Sequence, residues 1–474
     1  MSMADSTIVE RLGAFAAGLR FDRIPHEVQG RAKACLLHAL AVGRAGSVAD
    51  FGRRAEEVSV GWSDRPGVSG FARSLVSGQW HTAEAAAFIN GVHLHARAQE
   101  DTHGTFHPGV CVIPAALAAV ESADIDGATM LVAIVAGYEV GIALSAFLTE
   151  LTTPPFRATA VFGPVAAAAA VGRIRNFDTE TMTSALAIAA SLSGGTAESF
   201  GAGSDEWHFQ SGTAAAQGLR AADLAASGVV GSRTAFEAPS GFLECYAQRA
   251  AIDIADRLGR TWNMLGVTFK PYPVCAFNQT PAMLAARMRR DGLRAQDVSA
   301  IRLSMNEREA TYPGMPATGP FTSVAGTLMS ARFAFASALV HGDISYGTLT
   351  DFTNPDVLQL IDKIELQPEA ERPPKTARAQ VTVSEGTDIV DAIEDSQPML
   401  SWSFDEVVRN AERLAAEVDV SAGYLGALVD AVGSAEQLRN APAVLNAFLM
   451  TLPVADLAVP PAHSAVLRHT PAIH

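Results

Sequence analysis

Four histidines, a Glu-Asp pair and a His-Pro-Gly turn crowd into residues 90–114, NGVHLHARAQEDTHGTFHPGVCVIP, in a chain otherwise rich in alanine and other apolar residues. Imidazole changes charge near neutrality and a neighbouring carboxylate moves that transition, so proton transfer is sought here first. His103 and His107 are the candidate acid/base groups, with Asp101 beside them. Imidazoles and carboxylates together also suit a transition metal. The spacing argues against one: HExxH is absent, His93 and His95 point to different sides of a helix, and Gly104 and Pro108 make the rest irregular. His93 and His95 read as structural, and neither a metal nor a cofactor is expected.

Two further segments carry polar groups of interest. SLSGGTAESFGAGSDEW (191–207) offers free backbone amides, but it follows an Ala-rich helix rather than a strand and contains neither GxGxxG nor GxxxxGK[ST]. It reads as an interhelical loop. KPYPVCAFNQT (270–280) surrounds Cys275 with the donors Lys270, Tyr272, Asn278 and Gln279. No base adjoins Cys275, so a pocket-lining thiol is expected rather than a nucleophile.

These residues must be positioned by a long chain. At 474 residues it exceeds what one hydrophobic core usually serves, so two domains are expected. A 49% hydrophobic and 18% charged composition implies large buried surfaces and a subunit interface, hence an oligomer rather than a monomer. The net charge of -15 argues against a nucleic-acid partner. Four well-separated cysteines form no CxxC pair, so reduced thiols are expected. No apolar run reaches spanning length without Gly, polar or charged interruption, and the N-terminus lacks an apolar signal core. A soluble, cytoplasmic protein without membrane contact follows as the expectation.

Apolar residues recur at three and four from Ile8 to about Leu265, predicting helices over Glu27–Ala45, Ala83–Ala96, Ala128–Phe147, Ala160–Val171, Thr179–Leu192 and Gly212–Ala226. The texture changes between Val267 and Pro398. There Ala300–Met305 and Ala379–Val383 alternate as strands, with helical pieces at Thr280–Met288 and Phe333–Leu339. Helical period returns at Phe404–Val418, Ala422–Val432 and Ala435–Leu449, and the tail PPAHSAVLRHTPAIH reads as a solvated end. The fold class is therefore mainly α: a helical bundle from residues 1–266 and 399–474, interrupted by a smaller α+β domain at 267–398.

The order of RAKACLLHALAVGRAG, AAFINGVHLHARAQEDTHGTFHPGVCVIPAALAAVE, GYEVG, FRATAVFGPVAAAAAVG, WHFQSGTAAAQGLRAADLAASG, FKPYPVCAFNQT and MSARFAFASALVHG resembles the MmgE/PrpD family over nearly the whole length. That family contains 2-methylcitrate dehydratase, cis-aconitate decarboxylase and iminodisuccinate epimerase. The resemblance implies a homodimer whose helical domain, built from both chain ends, carries an inserted α+β lid, with the active site between them. The chain departs from the family pattern in places. HxxDxDDT reads here as residues 95–102, HARAQEDT, with Ala98 at the first Asp position; Arg157 stands where a histidine is often found; Trp207 replaces a basic residue, with His208 and Gln210 following; Gln279 replaces the histidine of some members. His107 and Asp101 are kept.

The resemblance and the chemistry together imply a cofactor-independent, dehydratase-like lyase that abstracts a proton next to the carboxylate of a small acid. His107 or His103 would be the base. Arg157 would clamp the carboxylate, as guanidinium geometry allows, with Gln210, Cys275, Asn278 and Gln279 lining the substrate. His208, Lys270 or Tyr272 would donate a proton to the leaving group or to the opposite carbon face. An epimerase or racemase of an amino- or imino-dicarboxylate is the first alternative, a decarboxylase the next, and a catalytically silent carboxylate binder the reading of a different class.

Overall fold

The computed structural model describes residues 6–63, 71–146, 154–247, 255, 257–384 and 386–453. The sequence tail from residue 460 lies outside them. The helical part runs through α1 (Ile8–Gly18), α2 (His26–Gly46), α3 (Phe51–Ser63), α4 (Ala83–His95), α5 (Gly109–Val120), α6 (Gly127–Ser145), α7 (Ala158–Ile174), α8 (Thr179–Leu192), α9 (Glu198–Ala202) and α10 (Trp207–Ala226). The starts follow local chemistry: the side chains of Thr7, Thr82, Asp126 and Asp178 each accept from a backbone N–H in the first turn of α1, α4, α6 and α8.

Helices α5, α6 and α7 are apolar on nearly every face because they are buried on nearly every face. By length and composition α6 passes for a membrane span, yet 89% of that stretch is buried inside the bundle. Its one carboxylate, Glu139, accepts from Asn263 N, Asn263 Nδ2 and Met264 N at 2.8–3.1 Å. Close helix approach rests on absent side chains: a Cβ at Gly91 of α4 would come within 2.7 Å of Gly212 Cα of α10, which only glycines at the crossing permit.

Residues 274–393 gather around a second hydrophobic core. A four-stranded sheet there has the order β4-β3-β5-β6, where the hairpin β1 (Phe71–Arg73) and β2 (Trp80–Thr82) precedes β3 (Val298–Asn306), β4 (Ile364–Glu369), β5 (Ala377–Val383) and β6 (Asp388–Ile393). β3 runs parallel to β4 and antiparallel to β5, and β5 antiparallel to β6. The helices Gln279–Arg290 and Ala331–His341 pack on each other and on the sheet.

The chain then returns to the bundle. Arg31 donates to Trp402 O and Ser401 Oγ, Lys33 to Gly433 O, Arg44 to Thr451 O, and Gly127 N to Leu438 O, all between 2.8 and 3.1 Å. The mainly helical class expected from the sequence is what the structure shows, with corrections in detail. The stretch expected as one helix over 435–449 is a 3-10 turn at Ala435–Gln437 and a helix at Ala443–Leu449, because Pro442 cannot continue the first turn. The strands β4 and β6 escaped the alternation test because both are sheet edges, one containing Pro368 and the other largely exposed.

Candidate active site

Between the two cores lies a cleft with about 60 Å³ of space accessible to water, and the residues 95–107 form its floor. Their placement begins with α4, which ends at His95. Ala98 then adopts a left-handed backbone, φ 54°, and redirects the chain. Four residues on, Thr102 pairs antiparallel with Thr268, its N–H donating to Thr268 O at 2.8 Å and its carbonyl accepting from Thr268 N at 2.9 Å. In an antiparallel pair, residues two before on one strand and two after on the other face each other on the same side. That register sets Glu100 opposite Lys270, and Lys270 Nζ lies 2.6 Å from Glu100 Oε1 while also donating to Ala98 O at 2.9 Å.

Glu100 is the hub. His95 Nδ1 stands 2.9 Å from its Oε2, and His107 Nδ1 stands 3.1 Å from its Oε1; both are ion-pair distances without linear hydrogen-bond alignment. Burial pushes the Glu100 carboxyl up, but His95, Lys270 and His107 facing it outweigh that and hold it well below the usual carboxylate range. Burial pushes His95 down to about 4 and His107 well below its ordinary value, in the latter case helped by Lys270, so both imidazoles are neutral near pH 7. His107 follows the tight turn closed by His103 N to Phe106 O and Phe106 N to His103 O. Its side chain stays 15% exposed, which leaves part of the ring open to the cleft.

Arg157 sits at the N-terminal boundary of α7, its backbone N–H donating to Gly195 O at 3.0 Å. Its guanidinium is buried and donates to Trp207 O, to Gln210 Oε1 at 3.3 Å and to His95 Nε2. A guanidinium only donates, so His95 accepts at Nε2 and carries its proton on Nδ1, facing Glu100. Three of five guanidinium donors are used, which leaves two for a ligand. Phe200 and Trp207 flank it, with ring centroids 5.6 and 5.7 Å from its central carbon. The cleft thus holds two cations, one carboxylate and two neutral imidazoles in a wall of Phe156, Phe200, Trp207, Phe277, Leu328 and Met329. No cluster of three or more metal-ligating side chains occurs among the described residues.

Of the residues singled out from the sequence, His107, Lys270, Arg157 and Cys275 line this cleft. Cys275 is a thiol there, pushed up to about 11 by burial. Gln210 touches the site through Arg157. The others stand elsewhere. Asp101 points away, accepting from Tyr138 Oη at 2.5 Å and from Gly109 N at 3.0 Å, and thereby anchors the start of α5; burial pushes it up to about 6. His103 lines a neighbouring chamber. His208 is fully buried, stacked on Phe51 and Trp207, with both ring nitrogens unpaired. Tyr272 is absent from the lining; its backbone, with Val274 and Cys275, is tied by the Gln279 amide, while Asn278 Nδ2 donates to Leu328 O and Met329 O. Tyr272, Asn278 and Gln279 hold the wall rather than present it. Glu100, His95, Tyr312 and Phe277 were not among the candidate site residues of the sequence; Glu100 and His95 had a signal, their places in the 95–102 stretch before Thr102.

A mainly helical bundle with an inserted α+β unit and a charged cleft between them is the class of molecule defined so far. Residues 10–255 match the MmgE/PrpD N-terminal domain and residues 272–402 the MmgE/PrpD C-terminal domain, so the chain belongs to the MmgE/PrpD family. It is similar to the cis-aconitate decarboxylase-like protein oryM of Aspergillus oryzae, 26% identical over 401 residues, covering 77% of this chain and 81% of that one. It is also similar to cis-aconitate decarboxylase of Aspergillus terreus (25% over 391 residues, 77% and 79%) and of Homo sapiens (25% over 382 residues, 76% of each). The family and these relatives support an enzyme of the lyase kind.

Proposed function

We propose that this protein is a cofactor-independent lyase in which His107, backed by Glu100, moves a proton at the carbon next to a carboxylate gripped by Arg157 and Lys270. The observation that carries the reading is the Glu100 hub: one buried carboxylate within 3.1 Å of Lys270, His95 and His107. With Nδ1 of His107 turned to Glu100, Nε2 is the basic nitrogen, and Glu100 stabilises the imidazolium that forms when it takes a proton. Lys270 has one donor beyond its two contacts and Arg157 has two, which suits the charge that builds on a carboxylate as its neighbouring carbon loses a proton.

Dehydration is the outcome when a proton also reaches a leaving hydroxyl, and Tyr312 in the lining is placed to supply it. Decarboxylation is the second reading, favoured by the names of the relatives and by the aromatic wall, which strips water from a carboxylate about to leave. In that case His107 Nε2 takes up a proton from water and passes it to the carbon left behind, returning to its neutral form. Incubation with cis-aconitate and a panel of hydroxy acids separates the two: new ultraviolet absorbance without carbon dioxide marks dehydration, and carbon dioxide release marks decarboxylation. No product from any acid contradicts both. The chain also pairs with itself in this reading, supported by exposed Phe71 and Trp80 on the β1–β2 hairpin, and light scattering of the purified protein checks it.

A further inference from the structure

The catalytic cleft does not end at its floor. A second chamber with about 240 Å³ of space accessible to water adjoins it, and the two share Gly104, Thr105, Pro154, Phe277 and Tyr312 as common wall. Carbon dominates the surface of this outer chamber, and at its side stands Lys375.

Three features set Lys375 apart. Its backbone is left-handed, φ 58°, a conformation that a lysine adopts only when its surroundings enforce it. They do: its N–H donates to both carboxylate oxygens of Glu309 at 2.9 and 3.0 Å, and its carbonyl accepts from Thr280 Oγ1 at 2.8 Å. Its ammonium, by contrast, makes no hydrogen bond or ion pair among the described residues, since Glu309, the acid beside it, is engaged by the backbone. Burial pushes the pKa of this half-buried ammonium down, with Glu309 opposing and Lys270 adding to the shift.

We infer that Lys375 is a specificity-determining residue: it receives a second acidic group of the substrate, carried on an apolar segment that passes Phe277 and Tyr312 from the carboxylate held at Arg157. This rests on the carboxylate reading of the cleft proposed above. It adds that the two acidic groups are separated by a carbon chain, and that the far one is read by charge rather than by shape.

The test is calorimetric titration at pH 6 with straight-chain α,ω-diacids from glutarate to azelate and with their monomethyl esters. Wild type is expected to bind at least one diacid about ten-fold tighter than its half-ester. Lys375→Met should reduce that diacid to the half-ester's affinity and leave the half-ester unchanged. Lys375→Asn, which tolerates the left-handed backbone, should do the same and guards against misfolding of the first variant. Equal binding of every diacid and its half-ester by wild type, or an unchanged ratio in both variants, overturns the inference while leaving the carboxylate clamp standing. Failure of wild type to bind any of the acids overturns both.

Discussion

Glu100 and Lys270 are separated by 170 residues in sequence and by 2.6 Å in space, and the bridge between Thr102 and Thr268 is what brings them together. The ion pair also reaches His95 and His107, so a single carboxylate organises both the clamp and the base.

Glu100→Gln keeps the size of the hub and an acceptor for Lys270 but removes the charge behind His107. Turnover is expected to fall by roughly two to four orders of magnitude, with circular dichroism unchanged. Turnover within a few-fold of wild type contradicts the assignment of Glu100.

Arg157→Lys replaces a planar fork by a point donor and cannot serve Trp207 O, Gln210 and His95 while also gripping a carboxylate. The Michaelis constant should rise about ten-fold or more, with a smaller change in kcat. A rise confined to kcat would place Arg157 outside ground-state binding.

Ala98→Asp introduces the acid that the family pattern has at this position, into a cleft wall that already holds Glu100. The left-handed backbone accepts Asp more readily than Ala, so the fold should persist. Carboxylate affinity should drop about ten-fold through like-charge repulsion, read by calorimetry. Undiminished affinity would show that bound acids sit away from this wall.

Acid should destabilise the protein through its buried histidines. Burial pushes His38, His93, His95 and His103 down to about 4. A depressed base contributes stability that is present above its unfolded value near 6.5 and is lost as pH falls through about 4. Glu139 acts in the opposite sense: burial pushes it up to about 7, so its contribution is present below its unfolded value near 4.5 and is lost as pH rises through 7. The melting temperature of wild type should therefore fall between pH 6.5 and 4. His93→Leu should shallow that fall, and Glu139→Gln, which removes a contribution of the opposite sign, should steepen it between pH 7 and 4.5; parallel curves for all three proteins would contradict this account.

Much of this fold is legible without coordinates where the signal is local. Helix α8 falls on Thr179–Leu192 as its period and its Asp178 cap require, and the change of texture after Val267 marks where the second core begins. The edge strands were hidden because an edge does not need strict alternation. The site is harder for the same physical reason. Past the left-handed Ala98 the chain follows no helix or strand period, so nothing local tells that Glu100 turns into the cleft while Asp101 turns back to Tyr138, 37 residues away. His95 looked structural from its helix alone. Its role in holding Arg157 depends on a contact across 62 residues.

The most direct test of the proton-moving couple is nuclear magnetic resonance in deuterium oxide, following the carbon next to the carboxylate of an acid that binds or turns over. Wild type should place deuterium at that carbon, whether by exchange, by reversal of elimination or in the decarboxylated product. His107→Asn should slow incorporation at least 100-fold while still binding the acid. Incorporation at the wild-type rate by His107→Asn would contradict the account.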